Sequence, residues 1–159
     1  MREQIRNLEY RKATAVDVEL LVKTRIEVLL AANGLPDDTD MDEVEKQSRV
    51  YYEHAIPDGT HTAFLAFDGD RFVGAGGISY YQVMPTYHNP TGRKGYIMNM
   101  YTRPAYRRMG IAYHMLDLLI RDAREKGVTF ISLEATSAGR PLYEKYGFTN
   151  MTNEMELPL

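Results

Sequence analysis

The run Arg107-Arg108-Met109-Gly110-Ile111-Ala112 offers the clearest chemistry in this sequence. It lies between an apolar run ending at Thr102 and a helical pattern beginning at Ile111, so a glycine and small residues open a helix. The first turn of a helix leaves backbone N–H groups without partners and carries the positive end of the helix dipole, and the two together bind phosphate oxygens. Gly110 lets phosphates approach the backbone without a Cβ in the way, and Ala112 keeps the next turn slim. Arg107 and Arg108 add cations at the rim. The run is too short for a Walker A loop and lacks its Lys-Ser/Thr pair, which disfavours nucleotide hydrolysis.

Other suggestive spacings fail on chemical grounds. Gly74-Ala75-Gly76-Gly77 sits inside a strand pattern with no helix after it, so a dinucleotide site is absent and a bulge or close backbone approach is expected. Asp38, Asp40 and Asp42 mimic a calcium loop, but Glu43 stands where the sharp turn needs glycine and Arg49 where the bidentate Glu belongs. His54, His61, His88 and His114 share no metal-ligand spacing, so no metal is expected and their roles are read as surface or structural.

These residues need elements to hold them. Weak alternation over 5–12 (Ile5, Leu8, Tyr10) predicts a strand, and Thr14 with Asp17 predicts a capped helix running to Asn33-Gly34. A second helix is expected over about 41–55, before Pro57-Asp58-Gly59. Asp68-Gly69-Asp70 reads as the turn of a hairpin between strands 61–68 and 71–81. A polar loop with Pro85 and Pro90 leads to a strand over 96–102. Ile111, Met115, Leu116, Leu118, Leu119 and Ala123 mark an amphipathic helix ending at Lys126-Gly127. A strand over 128–135, a short helix over 140–146, and a strand or small hairpin over 148–157 complete the chain. The order β-α-α-β-β-β-α-β-α-β predicts an α/β (α+β) fold, a mixed sheet with helices on its faces.

Composition bounds the partners. The 159 residues match one domain over 1–159, and a chain of this size buries about 70% of its unfolded surface. A hydrophobic fraction of 44% with 26% charged residues is ordinary globular composition. Nineteen Lys plus Arg against 22 Asp plus Glu give a net charge of −3, which argues against nucleic acid as the main partner. Without cysteine there are no disulfides, thiolate metal sites or Cys nucleophile. No run approaches the roughly 18 apolar residues of a membrane span, and the N-terminus has no signal-peptide core, so no membrane partner and a cytoplasmic location are expected.

The run from Tyr96 to Ala112, followed by helix, strand and Pro141-Leu142-Tyr143-Glu144-Lys145-Tyr146-Gly147-Phe148, resembles the GNAT (GCN5-related) N-acetyltransferase superfamily. The family's pyrophosphate loop falls on Arg107, Arg108, Met109, Gly110, Ile111 and Ala112, and its L-Y-E-K-x-G-F element on Leu142 to Phe148. The element order fits over nearly the whole chain. Many members also carry an Asn after the strand that precedes this element; Thr136-Ser137-Ala138-Gly139 stand here instead.

The resemblance implies acetyl-CoA as co-substrate, bound where strands 96–102 and 128–135 splay apart, and direct attack by an amine on its thioester. The backbone of Met100, Tyr101 and Thr102 would pair with the pantetheine arm, and the Met100 N–H would polarise the thioester carbonyl. Tyr143 matches the family's general acid, which protonates the departing thiolate. An ammonium must also lose a proton before it attacks. Glu134 is the leading candidate base, weighed evenly against a solvated strand-end carboxylate, and Asn99 or Tyr96 could position a water instead. The acceptor site is expected from residues 34–45 and 83–94, the first strongly acidic and suited to a cationic amine. The implied function is N-acetyl transfer to a small-molecule or peptide amine; the alternative is a degenerate domain that binds or senses acyl-CoA. A homodimer is expected from family habit and the apolar tail residues Phe148, Met151, Met155 and Leu157.

Overall fold

The computed structural model describes residues 7–159. Five strands, β1 (Leu8–Lys12), β2 (His61–Asp68), β3 (Arg71–Gln82), β4 (Arg93–Thr102) and β5 (Phe130–Leu133), form one sheet in the order β1-β2-β3-β4-β5. The first three pairings are antiparallel and β4–β5 is parallel. Helices α1 (Val18–Ala32) and α2 (Asp42–Asp58) cover one face, and α3 (Ile111–Glu125) and α4 (Arg140–Tyr146) the other. The mixed-sheet reading holds. Ile5, at the start of the expected first strand, lies outside the described residues.

Local chemistry explains most boundaries. The Thr14 N–H donates to Asp17 Oδ2 at 2.8 Å, so the expected cap forms around a short 3-10 turn ahead of α1. Helix α3 buries one stripe, Ile111, Met115, Leu116, Leu119, Ile120 and Ala123, against the sheet, and each fully buried Leu or Ile there contributes about 1.5–3 kcal/mol. The close approach expected of the β3 glycines is present: a Cβ on Gly76 would fall 2.6 Å from Met115 Cγ, and one on Gly77 would fall 2.8 Å from His61 Nε2. Helix α2 continues past the expected end to Asp58, with Pro57 in its last turn before Gly59 turns left-handed at φ +77°. A missing N–H there removes only a terminal bond.

Two features differ at the far edge of the sheet. Strand β5 covers only Phe130–Leu133, not 128–135: the parallel ladder begins at Lys94–Phe130, near the start of β4, and ends at Ile97–Leu133, after which β4 bulges. The tail 148–157, expected as strand or hairpin, forms no strand. Its start, Thr149-Asn150-Met151-Thr152-Asn153, is polar and turn-prone, and without a ladder an extended segment has no stabilising partner. Met155 and Leu157 are left 97% and 90% exposed.

One buried knot ties β1 and β3 to α3. Asp122, 4% exposed, accepts from Lys12 Nζ (2.7 Å), Lys126 Nζ (2.7 Å) and the Tyr80 hydroxyl (2.6 Å). Burial alone would raise the Asp122 carboxyl; these three donors outweigh it and hold it well below the usual carboxylate range. Asp122→Asn should destabilise the fold by roughly 2–3 kcal/mol, less than for a fully buried pair because both lysines reach solvent. A depressed pKa contributes stability above the unfolded value, about 4, and loses it as pH falls. In urea unfolding, the gap between parent and variant should therefore be full at neutral pH and shrink in acid. A gap independent of pH would rule out the ionic account.

Candidate active site

The site is built where the sheet opens. Between Ala75–Gly77 of β3 and Met98–Tyr101 of β4 the register shifts by one residue, a β-bulge centred on Asn99, whose φ of +61° is left-handed. Asn tolerates this conformation better than most residues. Past Ile97 the two parallel strands part, and the widened end of β4, Met98 to Thr102, faces a gap instead of a neighbour. The splay expected between these strands is thus produced by a bulge.

A cleft of about 240 Å³ fills this opening. Arg25, Val28 and Leu29 of α1 form one wall, Tyr96, Met98, Asn99 and Met100 another, and Glu134, Thr136 and Tyr143 the rest. Arg25 Nη1 donates to Asn99 Oδ1 at 3.0 Å, so α1 and the bulge hold each other in place. Residues 34–45 and 83–94, expected to build the acceptor site, contribute none of the lining.

Tyr143 is brought to the cleft by α4. Its side chain is 9% exposed, packed edge-on against Phe148 with ring centroids 6.0 Å apart. Among the described residues none hydrogen-bonds its hydroxyl. Burial pushes that phenol above its ordinary value, so it stays protonated and able to donate. Glu134 is exposed at the cleft mouth, just beyond β5. It stands close enough to Tyr96 to assist burial in raising that phenol. Tyr143 also borders a second groove of about 950 Å³ along β5, α4 and the tail, the space that an additional strand would cover.

The residues expected to form the phosphate loop follow the same end of β4, beyond Thr102 and a short 3-10 turn at Pro104–Tyr106. Gly110, at φ +83°, caps α3, and Arg108 is also left-handed at φ +62°. Among the described residues no backbone carbonyl accepts from the N–H of Met109, Gly110, Ile111 or Ala112. A Cβ on Gly110 would point into open space. The loop is anchored on both sides: Arg103 grips Glu27 of α1 through two bonds (3.0 and 2.7 Å), Tyr106 donates to Asp68 at 2.8 Å, and Arg107 Nε donates to the Thr102 carbonyl at 3.2 Å. Arg103 thereby holds the Glu27 carboxyl below its ordinary range. Thr102 Oγ1 is buried without a partner, as suits a strand end awaiting a polar ligand. The free loop N–H groups, the strand gap and this orphaned hydroxyl fit an extended phosphate-bearing ligand lying along β4.

The sequence reading did not single out Arg25, Glu27 or Arg103. Their partners lie 74–76 residues away, so no local pattern marks them. His61, read as structural, is buried, with burial first and the Arg25 charge second holding its pKa down at about 4. Among the described residues no cluster of His, Asp or Glu is arranged to hold a metal, and no helix is long and apolar enough to cross a membrane.

A helical α/β sheet with one parallel pair that opens beside a glycine-capped helix is the frame of an acyltransferase fold. The chain belongs to the acetyltransferase (GNAT) family, whose model matches residues 30–148. It is similar to the crystal structure of a predicted acetyltransferase from Clostridium acetobutylicum with acetyl-CoA, at 36% identity and TM-score 0.85, over 95% of this chain and 96% of that one. A GCN5-related N-acetyltransferase from Ralstonia eutropha JMP134 superimposes with TM-score 0.81 at 25% identity, over 96% and 99% of the two chains. The uncharacterized N-acetyltransferase YsnE of Bacillus subtilis (strain 168) is 30% identical over 92 residues, and the match spans 55% of each chain, about half of that relative's length.

Proposed function

We propose that this chain, as one domain over residues 1–159, transfers an acetyl group from acetyl-CoA to a primary amine of a small molecule or peptide. The observation that carries this reading is the Tyr143 hydroxyl, protonated and without a hydrogen-bond partner among the described residues, at the point where β4 and β5 separate. The Clostridium relative seen with acetyl-CoA supports the choice of donor.

In this reading the N–H groups of residues 109–112 and the Arg107 and Arg108 side chains bind the pyrophosphate, and the freed edge of β4 at Met100, Tyr101 and Thr102 pairs with the pantetheine arm. The Met100 N–H polarises the thioester carbonyl. The amine, relieved of a proton by Glu134 directly or through a water held by Tyr96 or Asn99, attacks the carbonyl carbon. A C–N bond forms, the C–S bond breaks, Tyr143 donates its proton to the leaving thiolate, and the acylated nitrogen releases its remaining extra proton to solvent as the neutral amide forms. Holding both substrates in one small cleft supplies much of the rate. Tyr143 recovers its proton from solvent, so no covalent acyl-enzyme is needed.

The test is thiol release from acetyl-CoA across a panel of primary amines. Acetylated product with at least one amine is the expected result. Acetyl-CoA binding without turnover of any amine would leave only a binding role. The proposal includes a cytoplasmic protein that dimerises through its exposed apolar tail. Sedimentation at micromolar concentration should show a dimer, lost on removing residues 149–159; a single 18.2 kDa species would end that part.

A further inference from the structure

The cleft carries two opposite charges that the protein leaves unneutralised. Arg25 and Glu134 both line it, from different walls, and among the described residues neither forms an ion pair. Elsewhere on α1 the charges facing neighbours are matched: Glu19 is taken by Arg49 at 2.7 Å and Glu27 by Arg103 at 2.7 Å. Lys23, which is exposed, and Arg25 have no such ion pair among the described residues, and of the two Arg25 lines the cleft. It is half-buried beside the apolar Val28, Leu29 and Met98, and its one side-chain partner is the neutral Asn99 oxygen.

A guanidinium has five donors in a planar fork, a shape that matches a carboxylate. Keeping one half-desolvated with a single neutral acceptor is costly unless a ligand anion completes it. The helix and the Asn99 bond also fix its direction, which lowers the entropy cost of ligand capture.

We propose that the acceptor is a free amino acid or similar amino carboxylate, its carboxylate held by Arg25, its amine directed to Glu134, and an apolar side chain laid against Val28 and Leu29. This rests on the N-acetyltransferase reading and narrows its acceptor. Charge decides between carboxylate and phosphate. Arg25 is the one cation among the described lining residues and Glu134 adds a negative charge, so a singly charged carboxylate matches better than a phosphate dianion. Size agrees, since about 240 Å³ suits a small molecule rather than a folded partner.

The experiment measures kcat/KM for apolar amino acids, leucine first, each beside its carboxamide. The parent should favour the acid by roughly 10–100-fold, the factor expected of a hydrogen-bonded charge pair. Arg25→Gln should bring the ratio close to one with the KM for acetyl-CoA unchanged, and Arg25→Lys should restore part of the preference. Leucine, but not leucinamide, should raise the Tm of the CoA-loaded protein. If Arg25 only steadied the Asn99 bulge, Arg25→Gln would lower acid and amide equally, and that result overturns the inference. Turnover of amines with no acid preference overturns it alone. Failure to acetylate any amine overturns the N-acetyltransferase reading with it.

Discussion

Replacing Tyr143 by Phe should lower kcat by roughly 10²–10⁴-fold, the usual worth of a positioned proton transfer. The KM for acetyl-CoA should stay within a few-fold, because the lost contact strengthens mainly as negative charge develops on sulfur. The fold should hardly notice. No described residue hydrogen-bonds the hydroxyl, and the ring's contact with Phe148 does not use it. Burial raises the phenol above its ordinary value, so it remains a donor across the pH range in which an amine becomes nucleophilic. The limb of the pH profile that reports amine deprotonation should therefore persist in the variant. A Phe variant with near-parent kcat, where chemistry is shown to limit the rate, would reduce Tyr143 to a packing residue and require water to protonate the thiolate.

Gly110→Val should weaken CoA binding by about 10²-fold or more. A β-branched side chain at φ +83° forces the loop to shift, and its added atoms would occupy open space at the start of α3 that the expected phosphates would need. Each hydrogen bond to a charged group contributes about 1.5–3 kcal/mol, so losing two accounts for a change of this size. Backbone strain adds about 1–3 kcal/mol of destabilisation. Gly110→Asn separates the effects: asparagine accepts the left-handed conformation but still places a Cβ in the phosphate path. Calorimetry should show both variants binding CoA poorly, while the Gly110→Asn protein unfolds near the parent temperature. Unchanged CoA affinity in Gly110→Val would remove the loop from the binding site.

Legibility in the sequence follows the range of the forces. The α3 stripe, the Thr14–Asp17 cap and the Asp68-Gly69-Asp70 turn were readable because each is settled by residues within a few positions. The loop 107–112 and the 142–148 element were readable for the same reason, and together they pointed to the family that the comparisons show.

What the folded chain decided is everything that depends on one strand's relation to another. The gap in the sheet exists because β4 gains a residue against β3 at Asn99, so the parallel ladder stops at Ile97–Leu133. Neither strand's own pattern records that register shift, since alternation reports which face a side chain takes and not where pairing ends. The same event ends β5 at Leu133. Arg25 reaches the site through a bond to a residue 74 positions away, and Asp122 gathers Lys12 from 110 positions away. Such contacts form only once hydrophobic burial has brought distant segments together, which is why the 107–112 motif is legible in the sequence while the Arg25–Asn99 and Lys12–Asp122 contacts are decided by the tertiary structure.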